Sequence, residues 1–294
     1  MIERQIAVVT GAASGIGRAL TNELLNRDAL VVLADVRGDA VAAAAREMDN
    51  GRGRAFAVTV DVRERAAVEA MVDEVYSRHG KLDLLFNNAG IGVGGDCEEF
   101  SREHWDEVIN VNIRGVVAGV CAAYPRMVAQ RAGHIINTAS LAGLVPSPLL
   151  TPYAMTKHAV VGLSLSLRAE AASHGVRISA LCPGLIETPI LDSAGPIDLP
   201  RTSFAGHGRA FLEHAMRRKP YPVDKFAKDV LQQVSQNRAV IISPPSAQLA
   251  RWMYRWAPGR FEKLGQKTVA WSRAQRTTSR QHYPADAAAM SGKL

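Results

Sequence analysis

Cysteine is scarce in this chain. Cys97, Cys121 and Cys182 are odd in number, widely spaced and outside any CxxC pattern, which argues against a disulfide framework or a zinc knuckle and leaves three cysteines expected to be reduced and structural. Acidic residues are nearly missing from one stretch. Between Leu249 and Gln281 eight basic residues (Arg251, Arg255, Arg260, Lys263, Lys267, Arg273, Arg276 and Arg280) stand against Glu262 alone. That stretch carries +7, equal to the net charge of the whole chain, so the remainder is neutral. A neutral body with a basic tail indicates a local surface property rather than a nucleic-acid-binding protein. Internal repeats and low-complexity segments are also missing. The amino terminus sets Glu3 and Arg4 beside a short apolar run, so neither a secretory signal nor a membrane span is expected there. A cytoplasmic protein without a metal site is the resulting expectation.

What is present is a composition able to fill a core: 294 residues, 47% hydrophobic and 21% charged. Short β-rich runs alternate with helical patterns. The strands are expected at 6–11, 29–35, 54–61, 82–90, 133–140, 177–184 and 239–244. Helices are expected from about Gly15, to about Met48, and over 64–79, 102–130, 152–173 and 222–236. The strand runs are continuously apolar, as in a parallel sheet covered on both faces. This pattern predicts an α/β fold, a doubly wound parallel sheet (Rossmann-like), as a single domain with a C-terminal helical extension. The catalytic domain is expected over 1–247, with a proline-rich lid at about 186–221, and a basic, aromatic extension over 248–294.

Strand IAVVT runs into GAASGIG and then a helix. Gly11, Ser14, Gly15, Ile16 and Gly17 therefore lie in a strand-to-helix turn, where backbone amides and the helix dipole favour a pyrophosphate. A tight turn without a ligand remains the alternative for the turn alone. Asp35 ends the second strand, placed to accept hydrogen bonds from both adenosine ribose hydroxyls and to repel a 2′-phosphate. NAD is expected ahead of NADP, although Arg37 could bind that phosphate.

Further along, YAMTK (153–157) sets a tyrosine one helical turn from a lysine. TGAASGIG (10–17), NNAG (87–90), Ser140 thirteen residues before Tyr153, YAMTK and PG (183–184) together resemble the short-chain dehydrogenase/reductase family in its TGxxxGxG and YxxxK type. The resemblance runs from about Arg4 to Thr188. It implies that Asp61 and Val62 hold the adenine, that Asn87, Asn88, Ala89 and Gly90 support the sheet beneath the cofactor, and that Asn112 positions a water in a proton relay. It further implies that Ser140, Tyr153 and Lys157 are catalytic, that Pro183, Gly184, Ile186 and Thr188 line the nicotinamide, and that the chain forms a homodimer or homotetramer through the helices at 102–130 and 152–173. Asn112 as an interior polar residue or kink, and Ser140 as a turn residue, remain open alternatives.

The ammonium of Lys157 and an oxidised nicotinamide both favour phenolate, so the Tyr153 pKa is expected to fall towards neutrality. Such a tyrosine serves as general base for an alcohol and general acid for a carbonyl. The expected function is an NAD(P)-dependent oxidoreductase acting on a secondary alcohol or ketone. A non-catalytic NAD-binding sensor or scaffold is the alternative. Apolar stretches at 90–95, 141–150 and 186–195 favour a lipophilic substrate. Arg217, Arg218 and Lys219 are expected as a solvated basic face rather than an anion clamp. In the tail Leu249, Trp252, Met253 and Trp256 fall at i, i+3, i+4 and i+7. That stripe is expected either to pack on the body or a partner subunit, or to make peripheral membrane contact through 249–271; the last residues are expected to fray.

Overall fold

The computed structural model of the chain describes residues 4–193, 195–196 and 198–282; the fraying expected near the carboxyl end falls outside them. The strands are β1 (Ile6–Thr10), β2 (Leu30–Asp35), β3 (Ala55–Thr59), β4 (Leu84–Asn87), β5 (His134–Thr138), β6 (Arg177–Pro183) and β7 (Val240–Ser243). Between them run α1 (Gly15–Asn26), α2 (Gly38–Asp49), α3 (Arg65–His79), α4 (Arg102–Ile109), α5 (Gly115–Gln130), α6 (Thr151–Ala171), α7 (Gly208–Met216) and α8 (Val223–Ser235). Two more helices, α9 (Pro245–Trp256) and α10 (Pro258–His282), follow β7. All strands pair in parallel in the order β3-β2-β1-β4-β5-β6-β7. The chain direction across the sheet therefore reverses between β1 and β4, where a doubly wound fold places its ligand.

Each face of the sheet carries its own core. Leu20 and Leu24 of α1, Val41 and Ala44 of α2, and Phe226 and Val230 of α8 pack over Val9, Leu33, Leu181 and Ile241. On the other face Val68 and Val72 of α3, and Ala123 and Met127 of α5, cover Val8, Leu85, Ile135 and Ile178. Strand β3 departs from the expected doubly covered pattern. It is an edge strand, and its Phe56 is 37% exposed. The expected helix over 102–130 is likewise interrupted, by a π-helical turn over Asn110–Arg114. Pro258 ends α9 and begins α10, as a residue without an amide proton can only do in a first turn. Of the three cysteines all are free, but only Cys182 is buried; Cys97 and Cys121 are exposed, so the structural role expected of all three holds for one.

His134 begins β5 and is wholly buried. Its Nε2 lies 2.8 Å from the Ser179 hydroxyl, whose own proton goes to the Arg238 carbonyl. Nε2 must therefore carry the hydrogen, and Nδ1 is a buried lone pair without a partner. Burial, with the Arg177 and Arg168 charges adding to it, pushes the imidazole down to about 3. Below pH 6.5 the unfolded chain takes up a proton that the folded protein refuses, so stability falls as pH drops from 6.5 towards 3, by ~1.4 kcal/mol per pH unit from this one group. His134→Leu should flatten that slope in urea titrations run between pH 7 and pH 4.

Candidate functional site

At the end of β1 the backbone turns sharply. Gly11 has φ +66°, and a Cβ there would lie 2.9 Å from the Ala89 Cα. Gly17 faces the turn itself: a Cβ would sit 2.2 Å from the Gly11 carbonyl oxygen. Gly15 has φ +53° and lies against the Thr188 methyl, 3.4 Å from where its Cβ would be. Helix α1 starts at that point with Ser14 extended, no side-chain cap and no acid in its first turn. Its leading amides are thus uncapped by any side chain, the arrangement that suits a phosphate. Ile16, one residue on, packs partly buried against the core below.

Asp35, 5% exposed, closes the far side of the turn. It accepts from the Ala13 amide at 3.1 Å and the Arg37 amide at 3.0 Å. Arg37 donates to both of its oxygens, at 3.0 and 3.2 Å, and to the Ser14 hydroxyl at 2.9 Å. Burial pushes the carboxyl up, but these hydrogen bonds outweigh it and hold Asp35 ionised below its usual range. The Arg37 side chain is 56% exposed, so it covers the buried carboxylate from the solvent side. Asp61 is occupied by a different partner: Arg63 chelates it and bridges to Glu107. Val62 lies under Gly115, where a Cβ would approach it to 2.7 Å.

The carboxyl ends of β1 and β4 are stitched by Thr10, the first residue of the TGxxxGxG motif. Its hydroxyl accepts from the Asn88 and Ala89 amides at 2.9 and 3.0 Å, and its carbonyl accepts from the Asn88 side chain at 2.9 Å. Asn87 is buried and structural, donating to Asn137 at 2.9 Å. The bare Cα of Gly90 leaves room for Lys157, whose Nζ would be 3.4 Å from a Cβ there.

Ser140 follows β5 in extended backbone and accepts from the Ala142 amide at 3.1 Å. Tyr153 stands in the first turn of α6, with the Ser140 hydroxyl near enough to its phenol to favour the ionised form. Lys157, one turn on and 3% exposed, donates to the Thr138 carbonyl at 2.8 Å and lies 5.5 Å from the centre of the Tyr153 ring. The three residues predicted to act together are therefore together. The electrostatics differ from the expectation. Burial pushes the Tyr153 phenol up, and the Ser140 hydrogen bond only partly opposes it. Burial also brings Lys157 down to about 8, which leaves it charged at neutral pH. The protein's own groups do not bring the tyrosine towards neutrality; a further positive charge is needed.

Asn112 lies within the π-helical turn, wholly buried. Its side chain accepts from the Ile91 amide at 2.9 Å and donates to the Ile91 carbonyl and to Thr156 at 3.0 and 3.2 Å. The side-chain amide is thus engaged by Ile91 and Thr156, which ties the π-helical turn to the loop after β4 and to α6. Pro183 ends β6, and Gly184 lies bare against Ala247 and Pro244. Ile186 is buried in the core cluster and pairs by backbone with Tyr221, so only its main chain can face a ligand. Thr188 is buried beside Gly15.

The lid contributes aromatic residues that its proline content did not signal. Phe204 and Phe211 meet edge-on at 5.3 Å and pack with Leu149 and Leu150 beside the loop after Ser140. Phe204 presses on Gly94, where no side chain would fit. Val269 of α10 packs on the same cluster, and Trp271 stacks on His214 at 3.8 Å. Asp96, after β4, binds Arg273 at 2.9 Å and Arg276 at 2.8 Å, while Arg276 also donates to Ser203. No local pattern announces contacts that span 180 residues. Arg217, Arg218 and Lys219 are exposed, with Lys219 paired to Glu213, the solvated face that was expected.

The short chain dehydrogenase family pattern matches residues 5–196. The 3-oxoacyl-[acyl-carrier-protein] reductase FabG of Thermotoga maritima is 34% identical over 191 residues, which is 65% of this chain and 78% of that one. A short chain dehydrogenase/reductase of Burkholderia phymatum, solved in complex with NAD, superposes with a TM-score of 0.79 at 33% identity, covering 86% of this chain and 93% of that one. The 3-ketoacyl-(acyl-carrier-protein) reductase of Brucella melitensis, complexed with NADH, gives 0.70 at 28% identity, covering 83% and 98%.

The cradle sets a first expectation. Gly17→Ala must displace the Gly11 carbonyl, at a cost of roughly 1–3 kcal/mol, and should weaken NADH binding by about tenfold or more. Thermal melts and NADH fluorescence titration measure the two effects separately.

Proposed function

The chain belongs to the short-chain dehydrogenase family of oxidoreductases, and on that premise we propose that it interconverts a lipophilic secondary alcohol and its ketone, with Tyr153 as general acid and base. The observation that carries this reading is the convergence of the Ser140 hydroxyl on the Tyr153 phenol, with the Lys157 ammonium 5.5 Å from the Tyr153 ring and anchored on the Thr138 carbonyl. The glycine cradle, the uncapped start of α1 and ionised Asp35 fit a dinucleotide. NAD(P), when bound, supplies or accepts the hydride and adds positive charge in its oxidised form.

In the oxidative direction Tyr153 takes the hydroxyl proton of the substrate, and in the reductive direction it returns one to the carbonyl oxygen. Ser140 hydrogen-bonds that same oxygen and fixes its distance from the phenol. Lys157 holds its charge near the phenol and would take the nicotinamide ribose hydroxyls, with the Thr138 carbonyl anchoring it meanwhile. Pro183, Gly184, the main chain of Ile186, and Thr188 would border the nicotinamide. The adenine would lie by Asp61 and Val62.

NAD is proposed ahead of NADP because the ionised Asp35 carboxylate at the end of β2 would repel a 2′-phosphate, while Arg37 is engaged by that carboxylate and by Ser14. The apolar walls around Leu149, Leu150 and Phe204 support a lipophilic substrate. Exposed Val117 of α5 with Met155 and Leu165 of α6 support assembly of copies through those helices.

Tyr153→Phe should lower kcat by about 10²- to 10⁴-fold while NADH affinity stays within roughly twofold, measured on a panel of steroid, retinoid and aliphatic secondary alcohols. Wild-type turnover in that variant would refute the assignment. Asp35→Asn should raise the Kd for NADH by about tenfold and narrow the gap to NADPH; an unchanged ratio of the two would remove Asp35 as the discriminating group.

A further inference from the structure

Apolar exposure on this protein is concentrated. Of the eleven large hydrophobic side chains exposed among the described residues, five (Leu249, Trp252, Met253, Tyr254 and Trp256) fall within α9. The helix is nevertheless firmly seated. Ala247 is wholly buried, Ala250 packs with it on the cluster formed with β6 and β7, and Tyr254 meets Phe261 of α10 edge-on at 5.5 Å. The residues one face further round, Leu249, Trp252, Met253 and Trp256, are thereby held outward. The two indole rings lie parallel, 6.4 Å apart, and Trp256 is 75% exposed.

The charges around this stripe are equally one-sided. Arg251 and Arg255 on α9, and Arg260, Lys263 and Lys267 on the first turns of α10, are all exposed. None of them forms an ion pair among the described residues. Glu262, the acid among them, is hydrogen-bonded by Gln266. Arg273 and Arg276, by contrast, are bound to Asp96 and belong to the body. Among the described side chains the tail basicity therefore separates into two parts, one used internally and one left facing water.

We propose that α9 is a peripheral docking helix for an anionic lipid surface, with Trp252 and Trp256 entering the headgroup region and the five unpaired cations meeting lipid phosphates and carboxylates. Tryptophan and leucine opposite arginine-rich flanks is the side-chain chemistry of an interfacial helix. A second copy of the chain fits the same face poorly, because it would bring five unpaired cations against five others with only Glu262 on each copy to offset them. The proposal is independent of the catalytic assignment.

The full chain should float with phosphatidylcholine vesicles containing roughly a third phosphatidylglycerol and be released by salt near 0.5 M, as a polybasic contact requires. Trp252→Ala/Trp256→Ala and, separately, Arg255→Glu/Arg260→Glu should each lower the vesicle partition coefficient by about tenfold or more, with NADH affinity unchanged as the check on folding. Failure to float, equal binding to pure phosphatidylcholine, or undiminished flotation of both variants would overturn the proposal. So would a fall in oligomer size in the tryptophan variant, by light scattering, with flotation intact.

Discussion

Everything at the site depends on one short set of hydrogen bonds, those by which Thr10 ties the end of β1 to the start of the loop after β4. Parallel strands diverge beyond their last paired residues, and the cleft so opened is where a doubly wound fold can hold a ligand. Without a tie, the two loops bordering that cleft would move separately. Thr10 fixes Asn88 and Ala89 with its hydroxyl and carbonyl, and Gly11 then lets the chain turn away directly above Ala89. Gly17 packs beneath the Gly11 carbonyl, Gly90 admits Lys157, and Lys157 lies 5.5 Å from the Tyr153 ring. The positions of the nucleotide cradle and of the proton-transfer pair thus descend from one junction.

That junction also separates what local sequence specifies from what it does not. The strand-helix alternation and the glycine turn were legible because they are short-range: a continuous apolar run, then backbone conformations that only glycine adopts freely. Ser140, Tyr153 and Lys157 were legible through the resemblance and their spacing, and the fold brings them together. The π-helical turn at Asn112 was legible only as the open alternative of a kink within a helix over 102–130, because an extra residue in one turn leaves no composition signal. Thr10 stood in the TGxxxGxG motif without a role, since its partners Asn88 and Ala89 lie 78 and 79 residues away. Asp96 with Arg273 and Arg276, and Phe204 with Gly94, depend on pairings across most of the chain, where sequence distance carries no information.

Electrostatics was the least legible part. A lysine beside a tyrosine implies a lowered phenol pKa, yet burial acts on both groups at once, raising one and lowering the other. Desolvation is a property of the folded environment and has no sequence spacing to betray it. Lys157 at about 8 nonetheless keeps its proton at neutral pH, so the ammonium survives the burial that its position demands.

The clasp of α10 on Asp96 gives the protein an order of completion. All of β1 to β7, and with them Gly11, Asp35, Ser140, Tyr153 and Lys157, precede residue 244 in the chain. A nascent chain that has just left β7 behind has every residue of the nucleotide cradle and of the proton-transfer pair, but Arg273 and Arg276 have yet to be synthesised. Domains condense from the amino end as they emerge. A message truncated after β7 would therefore encode the cradle and the proton-transfer pair without the clasp.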